Sequence, residues 1–422
     1  MSNSLWQEIF MVGGIPLFPY TIHPPVRTEA TTPINASVWH LVSGTSGPGT
    51  DVPDTSLHYY AFDMSETNLD DLRQQIDTLD TTLVELLSER ANVVVKIGEF
   101  KRDSETPIYA PHRERAVLDK VLAANNGPLS DKTIEAIYRE LMSGSFQIEK
   151  PLAIAYLAPR GSFSHIAAIR HFGSSVECIG AQTIESVFRE VAGGHCNYGL
   201  VPYENSTSGS ITDTLDAFQN HDVSIYAEAL IDIRHNLLCN GPKEQITHIA
   251  SKPQVIAQCR KWLHAMFPHV EIVETISSAA AVQKASSDDT TAAIGSEPAG
   301  IEYGVEISMK NVQDRDENIT RFLVLSKETA EPSGDDKSTI MFTTKHEPGA
   351  LVDVLASFRD NGINLSHIDK RPSGKTNWDY TFYIDADAHQ SEESLQIAVK
   401  TASEYCKSIE VLGSYPRAGQ IL

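Results

Sequence analysis

The chain has 422 residues, of which 41% are hydrophobic and 21% charged, and its formal net charge is −22. A chain of this length accommodates about three domains of ~100–200 residues each. The acidic balance argues against nucleic acid or an anionic membrane as a partner, and no window approaches the ~20 uninterrupted apolar residues of a membrane span. The five cysteines are scattered and never spaced as CxxC, so we expect reduced thiols in a cytoplasmic protein without a metal site.

Residues 1–65 differ in composition from the rest of the chain. They are rich in Pro, Gly, Ser and Thr, and their only basic residue is Arg27. A secretory signal or a transit peptide would carry more basic residues. We predict a mostly disordered extension and assign it no function.

Residues 66–150 form the first predicted unit, which is all-helical. Apolar residues recur at helical spacing from Leu69 onward, with neither Pro nor Gly before Gly98. A second helix is predicted from about Pro111 and a third from about Asp131 to Glu149. Arg90 and Lys101 fall inside the apolar stripe of the first helix, where a cation is costly unless it is paired or meets an anion. This pattern leaves open either salt-bridged side chains or an anion pocket within a helical bundle.

The pattern LxxxRxxID…LLxxR…VxxxK…HRE in this unit resembles the all-helical chorismate mutase family. The resemblance implies a rearrangement of chorismate to prephenate without a covalent or acid–base step. It also implies that the long first helix is exchanged between two chains of a homodimer. Ala110 departs from the family pattern, because bacterial relatives often carry Asp there. By matching position, the catalytic set would be Arg90, Lys101 and Glu149, and the substrate-binding set Arg73, Arg113, Glu114 and Ser145.

Residues 151–328 alternate strand-like and helix-like segments, which predicts a two-lobed, doubly wound α/β unit around a cleft. In Tyr198–Phe218 an apolar strand runs into a polar cluster at Glu204–Thr207, and a helical pattern follows. A strand end that leads into a helix N-terminus suits the binding of a small anion, since free backbone N–H groups point into the loop. Hydroxyl and amide side chains are therefore the expected chemical groups of this site.

The succession GSFS, VPYENSTSGS, SKPQ…Q, IGSE and NITRF resembles prephenate dehydratase over the whole second unit. The resemblance implies decarboxylation of prephenate with loss of its ring hydroxyl, which yields phenylpyruvate and needs no cofactor. Thr320 would donate the proton to the leaving hydroxyl, whereas Arg321 is equally consistent with a structural ion pair. The implied substrate-binding residues are Ser162, Glu204, Asn205, Ser206, Thr207, Ser210, Ser251, Gln254 and Gln258.

Residues 337–422 read in the order β-α-β-β-α-β, which predicts an α+β ferredoxin-like unit. The segment PGALVDVLASFRDNGINLSHIDKRPS resembles the ACT amino-acid-sensing domain of prephenate dehydratases. The resemblance implies an allosteric phenylalanine site, although the second motif matches only in part. The alternative is a dimerisation domain that senses nothing. The implied phenylalanine residues are Gly349, Ala350, Leu351, Val352, Asn364, Asp369, Arg371 and Pro372.

Together the three units resemble the bifunctional chorismate mutase–prephenate dehydratase family. The resemblance implies phenylalanine biosynthesis with feedback inhibition, with chorismate, prephenate and phenylalanine as the small-molecule partners. One alternative is an enzyme with dehydratase activity only, whose helical unit clamps a dimer, and Ala110 favours it. A second alternative is a non-catalytic amino-acid sensor or solute-binding protein, against which Thr320, Glu204 and Asn205 argue together.

Overall fold

The computed structural model describes residues 68–104, 107–373 and 379–422, apart from the side chains of residues 102–104. The predicted disordered extension of residues 1–65 lies outside these ranges. Within them, no helix combines the length and the apolar character needed to cross a membrane.

Three helices make up the helical unit: α1 (Leu69–Ser104), α2 (Pro111–Ala123) and α3 (Asp131–Glu149). Their order and bounds confirm the sequence prediction. Pro111 occupies the first turn of α2, where its missing N–H costs nothing, and the Ser130 hydroxyl accepts from Thr133 N at the start of α3. α1 packs on α3 near its C-terminal half, but the apolar residues of its N-terminal half are exposed.

The central unit follows, and its elements alternate along the chain. The strands are β1 (Ala153–Leu157), β2 (Glu177–Ala181), β3 (Tyr198–Asn205), β4 (Gly209–Ser210), β5 (Ser224–Asp232), β6 (Asn236–Leu238), β7 (His248–Ser251), β8 (Glu271–Glu274), β9 (Thr291–Gly295), β10 (Ile307–Met309) and β11 (Ile319–Ser326). The helices are α4 (Phe163–Phe172), α5 (Ile184–Ala192), α6 (Thr212–Phe218), α7 (Pro253–Gln258), α8 (Arg260–Met266), α9 (Ser278–Ala285) and α10 (Glu297–Tyr303).

These strands form two mixed sheets, one in each lobe. The first has the order β2-β1-β3-β11-β5, with β4 paired to β3, and the second has the order β10-β6-β9-β7-β8. β1 runs parallel to its neighbours, whereas β11 is antiparallel to both β3 and β5. The two lobes agree with the prediction, but a doubly wound sheet is mostly parallel. The antiparallel β11 arises because the chain returns from the second lobe to complete the first sheet.

The C-terminal unit comprises β12 (Asp336–Thr344), α11 (Ala350–Asp360), β13 (Leu365–Pro372), β14 (Tyr380–Ala386), α12 (Glu393–Ser403) and β15 (Cys406–Pro416). Its antiparallel sheet has the order β13-β14-β12-β15, so the predicted sequence of elements is confirmed. Val354, Phe358, Leu395 and Ala398 pack the two helices into one apolar core with this sheet.

The sheet of the C-terminal unit is seated on the central unit. Tyr383, Leu412 and Tyr415 belong to the same buried cluster as Phe188 and Val201 of the first lobe. A shared core of this kind fixes the two units against each other, because separation would expose its apolar area.

We predict that Gly413→Ala destabilises the protein at this junction. A Cβ at Gly413 would lie 2.2 Å from the carbonyl oxygen of Ile225, so β15 and β5 must move apart. We expect the free energy of unfolding to fall by about 1–3 kcal/mol in urea denaturation followed by circular dichroism. Gly127→Ala is the control, since nothing lies within 4 Å of a Cβ there. An unchanged unfolding midpoint for Gly413→Ala would contradict the close contact.

Candidate active sites

The turn between β3 and β4 is closed by the side chain of Asn205. Its Oδ1 accepts from Thr207 N at 3.0 Å, Thr207 Oγ1 at 2.6 Å, Ser208 N at 3.1 Å and Ser208 Oγ at 3.0 Å. The predicted helix begins only at Thr212, after β4. In the loop itself the N–H groups of Thr207 and Ser208 are therefore bound by Asn205 rather than left for an anion, and β4 precedes the helix.

The amide nitrogen of Asn205 connects this turn to β11. It donates to Thr320 Oγ1 at 2.9 Å and to Asn318 Oδ1 at 2.7 Å, and all three side chains are buried. β3 and β11 are antiparallel neighbours with Thr320 opposite Asn205, so the sheet register creates the contact. A hydroxyl carries one proton and two lone pairs. Since Thr320 accepts from Asn205, its own proton remains available to another acceptor.

Gln258, at the end of α7, joins the second lobe to the same network. Its Nε2 donates to Thr207 Oγ1 at 2.7 Å, and its Oε1 accepts from Asn318 Nδ2 at 3.3 Å. His235 Nε2 lies 2.8 Å from the same Oε1. Burial lowers the pKa of His235 and the hydrogen bond to Gln258 opposes this shift. The network is thus made of neutral amide, hydroxyl and imidazole groups.

A cavity of about 420 Å³ lies beside this network, between the two lobes. Two exposed cations, Lys261 and Arg315, line it. The carboxylate of Asp314 between them accepts from the backbone N–H groups of Lys261 and Trp262, at 2.9 and 3.0 Å. The cavity therefore combines neutral polar walls with two cations. Its lining residues are Thr207, Ser208, Gln254, Ala257, Gln258, Lys261, Gln313, Asp314, Arg315 and Asn318.

A second cluster lies between α1 and α3 of the helical unit. Arg90 Nη1 donates to Ser145 Oγ at 2.9 Å. Lys101 Nζ donates to Glu149 Oε2 at 2.9 Å and to the Ile108 carbonyl at 3.0 Å. The side chain of Glu149 is only 8% exposed and that of Lys101 22%. The structure thus brings together four of the predicted mutase residues, with both cations partly buried.

Comparison with known proteins identifies both regions. Residues 72–150 match the family model of chorismate mutase type II, and residues 154–330 match that of prephenate dehydratase. Among curated relatives, the bifunctional chorismate mutase/prephenate dehydratase of Aquifex aeolicus is 40% identical over 83% of this chain and 98% of its own length. The enzyme of the same name from Pseudomonas aeruginosa is also 40% identical, over 82% of this chain and 97% of its own.

The chain belongs to the bifunctional chorismate mutase/prephenate dehydratase family. Among solved structures, prephenate dehydratase from Arthrobacter aurescens in complex with L-Phe is similar with a TM-score of 0.60. It is 30% identical and covers 64% of this chain and 92% of its own. The hydrogen-bond network of Asn205, Gln258 and Thr320 lies within the segment that matches the dehydratase family model.

Several other predicted dehydratase residues hold the local structure. The Ser162 hydroxyl donates to the Leu157 carbonyl and caps α4. Ser251 is fully buried and donates to the Ile294 carbonyl at 2.7 Å in the second sheet. Ser206 Oγ accepts from Ile319 N at 3.0 Å, and Ser210 pairs with Glu204 through the backbone. Gln254 lines the cavity, as Thr207 and Gln258 do.

Glu204 differs from its prediction as a wall of the substrate site. Its carboxylate lies 3.6 Å from His367 Nδ1 on β13, in the C-terminal unit. The physical reason is strand alternation: because Asn205 points toward Thr207 and Asn318, which line the cavity, the preceding residue points to the other face of the sheet. Arg321 follows Thr320 in β11 and points to the same face as Glu204 for the same reason. There it forms buried ion pairs, which was one of the roles that the sequence allowed for it.

The three remaining predicted mutase residues lie outside the Arg90–Glu149 cluster. The Arg73 side chain is 65% exposed and pairs with Asp70 at 3.1 Å on the same helix, while Arg113 is exposed. Glu114 lines a separate cavity of about 130 Å³ that also contains Tyr109, Arg139 and His171. None of the described residues Arg90, Lys101, Ser145 and Glu149 lines that cavity.

The predicted phenylalanine residues are divided in the same way. Gly349 has φ of +89°, begins α11 and lines a groove of about 420 Å³ with Ala350, Leu351 and Val352. Asn364 instead donates to Asp387, and Arg371 forms a two-pronged ion pair with Asp216 of α6 at 2.8 and 2.6 Å.

The other two members of that set belong to β13. Asp369 Oδ1 accepts from the N–H of Lys370, and Pro372 pairs with Tyr380. None of Asn364, Asp369, Arg371 and Pro372 lines the groove that the first motif forms.

Asn318 and His235 belong to the dehydratase network but escaped prediction as site residues. Asn318 opens the NITRF segment, so the motif itself carried the signal. His235 lies in the connection between β5 and β6, outside the motifs, and only the fold brings it to Gln258.

We predict a pH-dependent stability from Glu114. Burial raises its pKa to about 8 from the ordinary 4.5, against the opposing effect of Arg139. Between these values the folded state binds more protons than the unfolded state, so the free energy of unfolding falls as pH rises from about 4.5 to 8. The melting temperature of the wild type, relative to Glu114→Gln, should therefore decline across this range. Glu244→Gln, at an exposed position, is the control. A constant difference between wild type and Glu114→Gln would contradict the shift.

Proposed function

We propose that this chain converts chorismate to prephenate and prephenate to phenylpyruvate in L-phenylalanine biosynthesis, under inhibition by phenylalanine. Family membership over nearly the whole length of the bifunctional relatives supports both activities. The observation that carries the dehydratase assignment is the buried Asn205–Thr320–Gln258 network beside an open cavity. The proposed domains are residues 66–150, 151–328 and 337–422, in a cytoplasmic enzyme.

In the dehydration, Thr320 donates its proton to the leaving ring hydroxyl, which departs as water. The electrons of the bond to the ring carboxylate flow into the ring as carbon dioxide leaves, and the ring becomes aromatic. Asn205 Nδ2 donates to Thr320 Oγ1 at 2.9 Å. The Thr320 hydroxyl therefore directs its own proton toward another acceptor. Aromatisation provides most of the driving force, so positioning and one proton transfer are the tasks left to the protein.

Recognition of prephenate requires positive charge, because the substrate carries two carboxylates and the protein is strongly acidic. Lys261 and Arg315 line the cavity together with one acid, Asp314. Asp314 binds backbone N–H groups of α8, and Asp316 lies 3.9 Å from Arg234. We therefore assign the substrate carboxylates to Lys261 and Arg315.

The mutase reaction needs charge stabilisation along a breaking C–O bond rather than a proton relay. Lys101 and Arg90 supply two cations at the α1–α3 cluster, for the ether oxygen and a carboxylate respectively. Glu149 accepts from Lys101 and so holds its ammonium in place. Ser145, which accepts from Arg90, does the same for the guanidinium.

The exposed face of α1 supports a homodimer. Ile76, Leu79, Leu83 and Leu86 are each more than half exposed, which is costly for a run of large apolar residues. A second copy that covers this face would bring Arg73 of one chain to the site of the other. Under the alternative, dehydratase activity alone, the same face would serve only as a clamp.

Phenylalanine sensing is assigned to the C-terminal unit as a ferredoxin-like ACT domain. Its strand order and the positive φ of Gly349 support this assignment, since a glycine there lets a ligand approach the backbone closely. The related Arthrobacter aurescens dehydratase was solved with L-Phe.

We expect the two activities to be separable by mutation. Arg90→Ala should abolish chorismate depletion while dehydration of supplied prephenate continues. Thr320→Ala should lower dehydratase turnover by about 10²–10⁴-fold, the usual range for a proton-transfer group, and leave the mutase rate intact. Both rates are measured on the full chain with each substrate supplied separately. Equal loss of both activities in a folded variant would refute the two-site assignment, and a wild type inert toward chorismate would favour the alternative.

Lys261→Gln and Arg315→Gln should each raise the dehydratase KM for prephenate by about 10-fold, because each removes one charged hydrogen-bond donor to a carboxylate. Turnover should not fall, since a carboxylate contact is at most as strong in the transition state as in the ground state, and the ring carboxylate loses its charge as carbon dioxide leaves. Arg260→Gln is the matched control, an exposed cation on the same helix that does not line the cavity. A double variant with wild-type KM would remove both residues from substrate recognition.

A further inference from the structure

Two neighbouring strands, β3 and β11, each contribute one side chain to the hydrogen-bond network beside the cavity and place the adjacent side chain against the C-terminal unit. The register pairs Thr320 with Asn205 and Arg321 with Glu204 across β11 and β3. Successive side chains of a strand point to opposite faces. Asn205 and Thr320 meet in the hydrogen-bond network on one face, so Arg321 and Glu204 lie on the other face, which the C-terminal sheet covers.

Arg321 has three partners there and is 7% exposed. Its Nε donates to Glu228 Oε2 at 2.7 Å, Nη1 to Asp385 Oδ2 at 2.5 Å and Nη2 to Tyr415 OH at 2.8 Å. Glu228 belongs to β5 of the central unit, whereas Asp385 and Tyr415 belong to β14 and β15. One guanidinium thus connects the catalytic strand to two strands of the C-terminal sheet.

The guanidinium is held on the remaining sides as well. The Tyr203 ring lies with its centroid 5.0 Å from Arg321 Cζ, and Lys337 Nζ lies 3.2 Å from Glu228. A buried ion cluster is stable only with good geometry, since each desolvated charge depends on its partners. A displacement of β14 or β15 therefore cannot leave the position of Arg321 unchanged.

Three further contacts join the same two units around the cavity. Glu204 faces His367 at 3.6 Å, and Arg371 grips Asp216 of α6. Tyr383 OH donates to the Leu215 carbonyl at 2.7 Å. β3, β11 and α6 all border the turn that Asn205 closes. The C-terminal sheet therefore contacts the elements that hold the hydrogen-bond network of the active site.

We propose that Arg321 is a positioning residue for Thr320, and that phenylalanine acts on the dehydratase by shifting the C-terminal strands to which Arg321 is bound. This proposal rests on the function proposed above. Thr320 and Arg321 share a peptide bond, so a movement of the guanidinium anchor changes the direction of the Thr320 hydroxyl. A misplacement of about 1 Å can cost about 10²-fold in rate, which is sufficient for an inhibitory signal.

Arg321→Lys tests the positioning role, since it keeps the charge but removes the fork that binds three partners. We expect dehydratase kcat to fall about 10-fold or more while KM stays within about two-fold, as for a misaligned proton donor. The mutase rate, measured on the same preparation, should be unchanged and reports that the chain is folded. Saturating phenylalanine should inhibit the variant less than the wild type.

His367→Gln and Asp216→Asn test the coupling with near-isosteric changes, in ion pairs whose carboxylates, Glu204 and Asp216, are partly exposed. Turnover without phenylalanine should remain within about two-fold of wild type, and calorimetric affinity for phenylalanine should be unchanged. Maximal inhibition by phenylalanine should decrease. The substitutions weaken the coupling between the phenylalanine site and the dehydratase site and leave each site itself intact. Lys407→Gln is the matched control: it removes an ion pair with Asp379 inside the C-terminal unit and should leave inhibition intact.

Two results separate this inference from the proposed function. A wild type that neither dehydrates prephenate nor responds to phenylalanine would refute the function. A wild type that does both, with wild-type turnover and inhibition in Arg321→Lys, His367→Gln and Asp216→Asn, would refute the coupling alone. If Arg321→Lys loses both activities together through unfolding, the other two variants decide the matter by their maximal inhibition.

Discussion

The antiparallel pairing of β3 with β11 is the constraint on which the dehydratase depends. It sets Asn205 opposite Thr320, and the same register sends Glu204 and Arg321 to the opposite face. A buried guanidinium must find acids, and Arg321 finds them in Glu228 and Asp385, on both sides of the junction between units. Catalytic geometry and the attachment of the C-terminal unit are thus consequences of one pair of strands.

The charges at the two sites contrast with the acidic balance of the whole protein. The protein is strongly acidic, yet its dehydratase network is built from neutral amides and hydroxyls, with cations only at the cavity lining. In the mutase cluster, Lys101 and Arg90 are each held by one polar partner on α3. Cations placed this way give an otherwise acidic protein local positive charge that attracts an anionic substrate, although Lys101 is paired with Glu149.

Sequence reasoning placed Asn205, Gln258 and Thr320 in one site because they stand in motifs with few alternatives, and in the structure they share one hydrogen-bond network. Ser162 and Ser251, predicted for the same site, hold a helix cap and a backbone carbonyl in the structure. Motif membership does not distinguish a hydroxyl that faces a cavity from one that supports the loop beside it. Glu204 failed because two adjacent strand residues cannot share a face.

The sequence by itself determined the elements and their order: the helical periodicity from Leu69, the alternating central unit and the β-α-β-β-α-β C-terminal unit. These follow from patterns of apolar residues that repeat over a few helical turns or within a strand, so a short stretch of sequence is sufficient to show them. Only the tertiary structure decided that β11 returns antiparallel to the first sheet, that Arg371 turns to Asp216, and that Arg321 anchors Thr320 to the C-terminal unit. Such contacts join residues about a hundred positions apart, as in Arg321 with Glu228 (93 positions), and no local pattern specifies which acid a buried cation will meet.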